Sequence, residues 1–383
     1  MISLLSIILL LHFVFGNAAV TFNVVLNQMP KLMQLQPFLR AWASACNSTL
    51  TSTIYVPKGR FSIRFAEFRG PCTSAINVQI DGTLVAPNDY RTLGNSDNWI
   101  LFIQVDRISV IGGALDAKGD GVWKCKKAGL NCPVQARSIT FNWVKDVQIS
   151  GLTLINSQLM HLVINSCKNV KVSNVKIIAP DDSPNTDGIH VQSSTAVTIK
   201  NSVIQTGDDC ISIGPGTRNL WMEKIQWGPG HGVSIGSLGK DFKEDGVENV
   251  TLINSVFSGS DNGLRIKTWG RASKGFVRNI RYQNIVMRNV ANPIIIDQNY
   301  CPGNQGCPRQ SSGIKISEVS YQNIQGTSAT PYAMVFDCSP TNPCRGIKLR
   351  DIKLTYLKTN KAQSRCKNVG GTSSGVILPH NCL

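Results

Sequence analysis

Three aspartates, one histidine and two cations carry the chemistry of this sequence. Asp187 stands in Ser183-Pro184-Asn185-Thr186-Asp187-Gly188, and Asp208 and Asp209 are adjacent in Gly207-Asp208-Asp209-Cys210. His231 stands in Gly230-His231-Gly232, and Arg265 and Lys267 flank Ile266. Carboxyls held close repel one another, so at least one should keep its proton above the ordinary carboxylate range. A protonated acid beside an ionised one can act as a pair: one protonates a leaving oxygen while the other activates water. That division of labour is what hydrolysis of a glycoside requires. A single Asp-Gly would read as a turn. An ordered set of acids with a histidine and an Arg-x-Lys does not. Asp181 and Asp182 read as turn formers, and His161, His190 and His380 as structural. No ligand spacing specifies a metal.

The elements that must position these residues follow from a repeat. Asp187-Gly188-Ile189-His190-Val191, Asp209-Cys210-Ile211-Ser212-Ile213, His231-Gly232-Val233-Ser234-Ile235 and Asn262-Gly263-Leu264-Arg265-Ile266 share one pattern. Their starts are 22, 22 and 31 residues apart, the period of a chain that lays one strand on the last with each coil. Stacked in register, Ile189, Ile211, Val233 and Leu264 form an inward column. Asp187, Asp209, His231 and Asn262 form a polar column where each strand begins. Arg265 and Lys267 share the outer face, since i and i+2 point the same way. Strict alternation would bury Asp209, and a bare buried carboxylate is expensive. Gly207-Asp208-Asp209 is therefore expected to be a turn from which both acids reach the surface. A second motif, an apolar–polar strand ending in Asn, recurs at Asn174, Asn201, Asn254, Asn284 and Asn323. These positions are expected to stack as internal ladders at the turns. The first two are 27 residues apart, too close for a propeller blade of roughly 40–50 residues. The fold class is all-β: a right-handed, single-stranded parallel β-helix, the hand following from strand twist. Residues 21–25 read as a strand. Residues 37–46, with Leu39, Trp42 and Ala45 at helical spacing, read as a short helix capping the apolar end.

Residues 1–19 are largely apolar and end in small residues, which reads as a secretory signal cut near Ala18 or Ala19. Residues 20–383 are left as one catalytic domain, with no further stretch able to span a bilayer. The 383 residues are 42% hydrophobic, ample for a core, and carry a net charge of +16. A basic exported chain attracts polyanions. With 7% aromatics and no basic run, an acidic polysaccharide fits better than nucleic acid. Twelve cysteines suit an oxidising compartment, and Cys125/Cys132, Cys301/Cys307 and Cys338/Cys344 are near enough to close small loops. Asn47-Ser48-Thr49 and Asn249-Val250-Thr251 are glycan acceptor sequons.

Taken together, Ser183-Pro184-Asn185-Thr186-Asp187-Gly188, Gly207-Asp208-Asp209-Cys210, Gly230-His231-Gly232 and Arg265-Ile266-Lys267 resemble the polygalacturonase family of pectin-degrading glycoside hydrolases, its plant members most closely. The resemblance covers residues 38–383. It implies a right-handed parallel β-helix that hydrolyses α-1,4 bonds of polygalacturonate with inversion and without a cofactor; with the signal-like segment, a secreted, monomeric cell-wall enzyme is expected. It implies Asp208 as general acid, Asp187 and Asp209 as the residues activating water, and His231 as the group tuning protonation. Asn185, Arg265, Lys267 and Tyr300 would bind substrate, the two cations through a sugar carboxylate. The sequence departs from the family at residues 26–37, which read LNQMPKLMQLQP where a Gly-Ala and an Asp-Gly-x-Thr-Asp segment are usual. It also departs at Trp227, where a cysteine usually pairs with the one at Cys210. Set against the family pattern, that departure makes Cys167 and Cys210 the candidate free thiols, with Cys46/Cys72 and Cys366/Cys382 as the expected further bridges. Three competing readings are a pectate-lyase-like β-helix cleaving by elimination with calcium, a hydrolase of a rhamnose-containing backbone, and an inactive wall-binding relative.

Overall fold

The computed structural model describes residues 19–24, 35–93, 96–359 and 361–383. The signal segment, apart from Ala19, and residues 26–34 of the departing stretch lie outside the described residues.

The chain forms a parallel β-helix. One sheet climbs the molecule through Ser52–Val56, Ile76–Ile80, Asp106–Ile111, Lys145–Ser150 and Lys168–Ser173. It continues through the longer strands from Thr195–Gln205 to Val369–Leu378, each pairing in parallel with the next. A second, eleven-stranded sheet runs from Ala66–Arg69 to Gln363–Lys367 and is parallel throughout. It carries the acid motifs on the successive strands Ile189–Gln192, Ile211–Ile213, Val233–Leu238, Asn262–Trp269 and Asn292–Tyr300.

The register matches the expected columns. Ile189 lies beside Ile211, Ile211 beside Val233, and Val233 beside Leu264. All four are fully buried, each adding roughly 1.5–3 kcal/mol through burial of its side chain. The same register aligns His190, Ser212, Ser234 and Arg265 as the outward row.

The cap is the helix Leu35–Asn47, with Phe38, Ala41, Trp42 and Ala45 buried. Trp42 packs 5.0 Å from Phe68, and Phe68, Phe102 and Phe141 stack beneath it. The Cys46–Cys72 disulfide and a 3.1 Å hydrogen bond from the Trp42 indole to the Arg69 carbonyl fasten the cap to the first coils. A second helix, Asp120–Lys127, had no clear periodic signal in the sequence; it buries Val122, Trp123 and Cys125.

The asparagine ladder is real but external. Asn284 donates to Asn254 and accepts from Asn323, both at 2.9 Å, and all five motif asparagines are exposed. Each has a left-handed backbone, with φ between 49° and 55°. That conformation turns the corner and throws the side chain outward, which the expectation of internal ladders had missed. The five expected disulfides form, and Cys167 and Cys210 are free and buried. Trp227 is buried and stacks on Phe257 at 5.6 Å.

Candidate active site

The eight residues singled out in the sequence meet on the outer face of the second sheet. They are delivered by turns that pack backbone on backbone. A Cβ at Gly207 would lie 2.2 Å from the Ser183 carbonyl oxygen, so only glycine lets the Asp208 turn settle on the Asp187 turn. Gly232, with φ of 76°, is pressed likewise against the Asn262 carbonyl. His161, left as structural by its isolation in the sequence, supports the same turn from beneath. It is fully buried, and burial pushes its pKa down to about 4. The neutral ring donates from Nδ1 to the Asp187 carbonyl oxygen at 3.1 Å and accepts at Nε2 from the Ser157 N–H at 3.2 Å.

Two chains of contacts cross this face. In the first, the Asn185 amide lies 3.4 Å from Asp208 Oδ2, and Asp208 Oδ1 is 3.0 Å from His231 Nδ1. His231 Nε2 reaches Asp261 Oδ2 at 3.5 Å. In the second, Asp209 Oδ1 accepts from Ser234 at 2.8 Å and from Arg265 Nη2 at 2.6 Å, and Oδ2 accepts from Lys267 Nζ at 2.6 Å. The ammonium of Lys267 lies 5.2 Å from the Tyr300 ring centre. Trp269 meets that ring edge-on at 5.7 Å.

One expectation is corrected here. Asp209 does not reach the surface; it is 2% exposed. Its charge is tolerated in the interior because two cations and a hydroxyl satisfy it, the condition under which a buried carboxylate is stable. Arg265 and Lys267 are the two cations that do so. Their side chains are 13% and 8% exposed, and both are engaged with Asp209.

The remaining acids are driven apart in proton affinity. Burial, followed by the charges of Asp208 and Asp209, pushes Asp187 up to about 7. Burial would raise Asp208 too, but the hydrogen bond and charge of His231, with help from Lys267, outweigh it and bring Asp208 to about 2. His231 is raised in turn by the hydrogen bond from its ring to Asp208. The three carboxyls thus fall into distinct environments: one protonated in the buried turn, one ionised against histidine, one clamped by cations. Asp208, Asp209 and His231 each bring a donor atom within 4.8 Å of the others. A divalent cation there would stand against the fixed charges of Arg265 and Lys267, so the donor set suits calcium-assisted elimination poorly.

The sequence pattern assigns no site role to Ser212, Ser234, Asp261 or Lys126. The serines were legible in principle, as the polar members of triplets sharing a row with Arg265. Ser212 Oγ lies 2.8 Å from His190 Nδ1 and hydrogen-bonds to Asp187. Asp261 and Lys126 arrive from a loop and from the second helix, outside the repeat.

Residues 46–375 match the model of glycosyl hydrolases family 28. The chain is 51% identical to a polygalacturonase of Prunus persica over 100% of this chain and 99% of that one. It is 41% identical to an exopolygalacturonase of Platanus acerifolia over 90% of this chain and 92% of that one. It superposes on the crystal structure of an endo-xylogalacturonan hydrolase from Aspergillus tubingensis with a TM-score of 0.81, at 21% identity, covering 94% of this chain and 100% of that one. The chain belongs to glycosyl hydrolases family 28.

Proposed function

We propose that this chain hydrolyses α-1,4 bonds between galacturonic acid units of pectin, with inversion at the anomeric carbon. The observation that supports this best is geometric: the turn of the buried Asp187 is packed on the turn of Asp208, whose carboxylate lies 3.0 Å from His231 on a face lined with cations. Two such coupled acids share one proton and titrate as a pair. In the empty site burial keeps that proton on Asp187, while His231 keeps Asp208 ionised. A sugar ring over Asp208 displaces water and raises its proton affinity, so the proton passes to Asp208. Asp208 then protonates the glycosidic oxygen as the C–O bond breaks. Asp187, now ionised, takes a proton from the water that attacks the anomeric carbon from the opposite side. Asp209, fixed by Arg265, Lys267 and Ser234, helps orient that water. Asn185 and Tyr300 border the sugar positions.

No helix among the described residues is long and apolar enough to cross a membrane, and five disulfides suit folding in an oxidising compartment. Export to the cell wall after removal of residues 1–19, and action of residues 20–383 as one monomeric catalytic domain, complete the proposal.

Incubation with polygalacturonate tests the reaction. New reducing ends without unsaturated, ultraviolet-absorbing ends are expected, and Asp208→Asn should lower turnover by roughly 10²-fold or more. Unsaturated ends would mean elimination. A folded protein that binds the polymer and releases nothing would be a wall-binding relative. Near wild-type turnover in a folded Asp208→Asn variant would remove Asp208 from the role of acid.

A further inference from the structure

Arg265 and Lys267 are both tied to Asp209, so a cation at the site without a carboxylate partner has to be sought elsewhere. Lys126 fits. It projects from the helix Asp120–Lys127, and its Nζ lies 3.0 Å from Asn185 Oδ1. Asn185 in turn contacts Asp208 at 3.4 Å. Lys126 thus stands at the end of the Asn185–Asp208–His231 chain opposite His231, away from the Arg265–Asp209–Lys267 cluster. Among the described residues its ammonium forms no ion pair with a carboxylate. Partial burial lowers its pKa, and the nearby charge of Asp208 partly offsets that.

The backbone around Lys126 is held firmly. Cys125, beside it, is bridged to Cys132. Trp123 and Val122 pack with Ala179, against Tyr90. Lys127 ion-pairs with Asp182, on the loop that leads into Asp187. A lysine fixed at both flanks, half-buried and bonded to a neutral amide, is arranged to receive an anion rather than to hold the fold.

We propose that Lys126 is a substrate-binding and specificity residue: it receives the carboxylate of the galacturonate unit on the Asn185 side of the scissile bond. The sugar there is read by a charge-assisted hydrogen bond, with Asn185 as the neutral partner that Lys126 exchanges for the substrate oxygen. This rests on the reading of the site as one for galacturonate polymers. A methyl ester at that unit gives Lys126 no charge to meet.

The test is Lys126→Met and Lys126→Arg, with kcat and KM measured separately on polygalacturonate and on its methyl ester. Lys126→Met should lose roughly 10- to 100-fold in kcat/KM on polygalacturonate. The loss should be carried by KM, be much smaller on the ester, and be largely restored in Lys126→Arg. Equal losses on both substrates, or a loss in kcat with a displaced pH profile, would mean that Lys126 only tunes Asp208 or supports Asn185, and would overturn the inference. Binding of a galacturonate oligomer by calorimetry, in an Asp208→Asn background with and without Lys126→Met, separates the two readings. Weaker binding on losing Lys126 supports the inference even if the wild-type chain releases no product, an outcome that would end the hydrolytic proposal alone. Unchanged binding overturns the inference whatever the turnover.

Discussion

Asp209 is the residue around which the charges of the site are arranged, and the cations nearest it act on the protein first. Removing one partner of a buried ion pair leaves the other uncompensated, at roughly 3–5 kcal/mol. Arg265→Gln and Lys267→Met are therefore expected to lower the thermal midpoint markedly. They should also reduce kcat/KM on esterified and free polymer alike, because both cations hold Asp209. A large loss confined to the free polymer, with unchanged stability, would restore them as readers of substrate charge. Asp187 gives the opposite stability sign. Its carboxyl ionises near 3.8 in an unfolded chain and near 7 in the folded one. Between those values the folded state holds the extra proton, so stability falls as pH rises. Asp187→Asn has no such loss: its thermal midpoint relative to wild type should climb from pH 4 to pH 7, while activity collapses. A difference that stays flat over that range would mean Asp187 is ionised in the resting site. Residue types and motif order announced this cluster in the sequence. Which carboxyl is clamped and which is free was not legible, because the clamp joins Asp209 to Lys267 across 58 positions.

At the level of the strand, the repeat was legible as a column and its inward face was correct, since burial follows the period of two. The asparagines were read to the wrong side because a left-handed residue breaks that period. In Thr195–Gln205 the buried positions are Val197 and Ile199 before Asn201, but Ser202 and Ile204 after it. The corner residue resets the phase, and periodicity alone does not say which way it points. The ladder has a measurable consequence. Asn284→Ala loses two side-chain hydrogen bonds and keeps a Cβ in the left-handed region, which disfavours alanine by roughly 1–2 kcal/mol. Asn284→Gly loses the same bonds without that strain. The glycine variant is expected to be about 1 kcal/mol the more stable of the two by thermal or urea unfolding; an alanine variant as stable as wild type would show that the ladder contributes nothing. The helix Asp120–Lys127 escaped notice because eight residues with a small buried side give too short a period.

Over the whole molecule, stacking does what no single motif could. Each coil contributes one short polar turn, and the parallel register carries acids from 187 and 209, a histidine from 231 and cations from 265 and 267 onto one face. The net charge of +16 pointed to an anionic partner, yet the best-placed cations are spent on an internal acid. Lys126, reached across 59 positions from Asn185, is visible only once the coils are stacked. The general shape and the identity of the acids were thus legible from local pattern, while partnership across coils required the fold. In the proposed reaction a proton from the Asp187–Asp208 pair and a water from the far side act in one displacement. Proton NMR of the first sugar ends released from an α-linked galacturonate oligomer reads this directly. Inversion requires the β-anomer to appear first and then mutarotate; the α-anomer appearing first would contradict the single displacement.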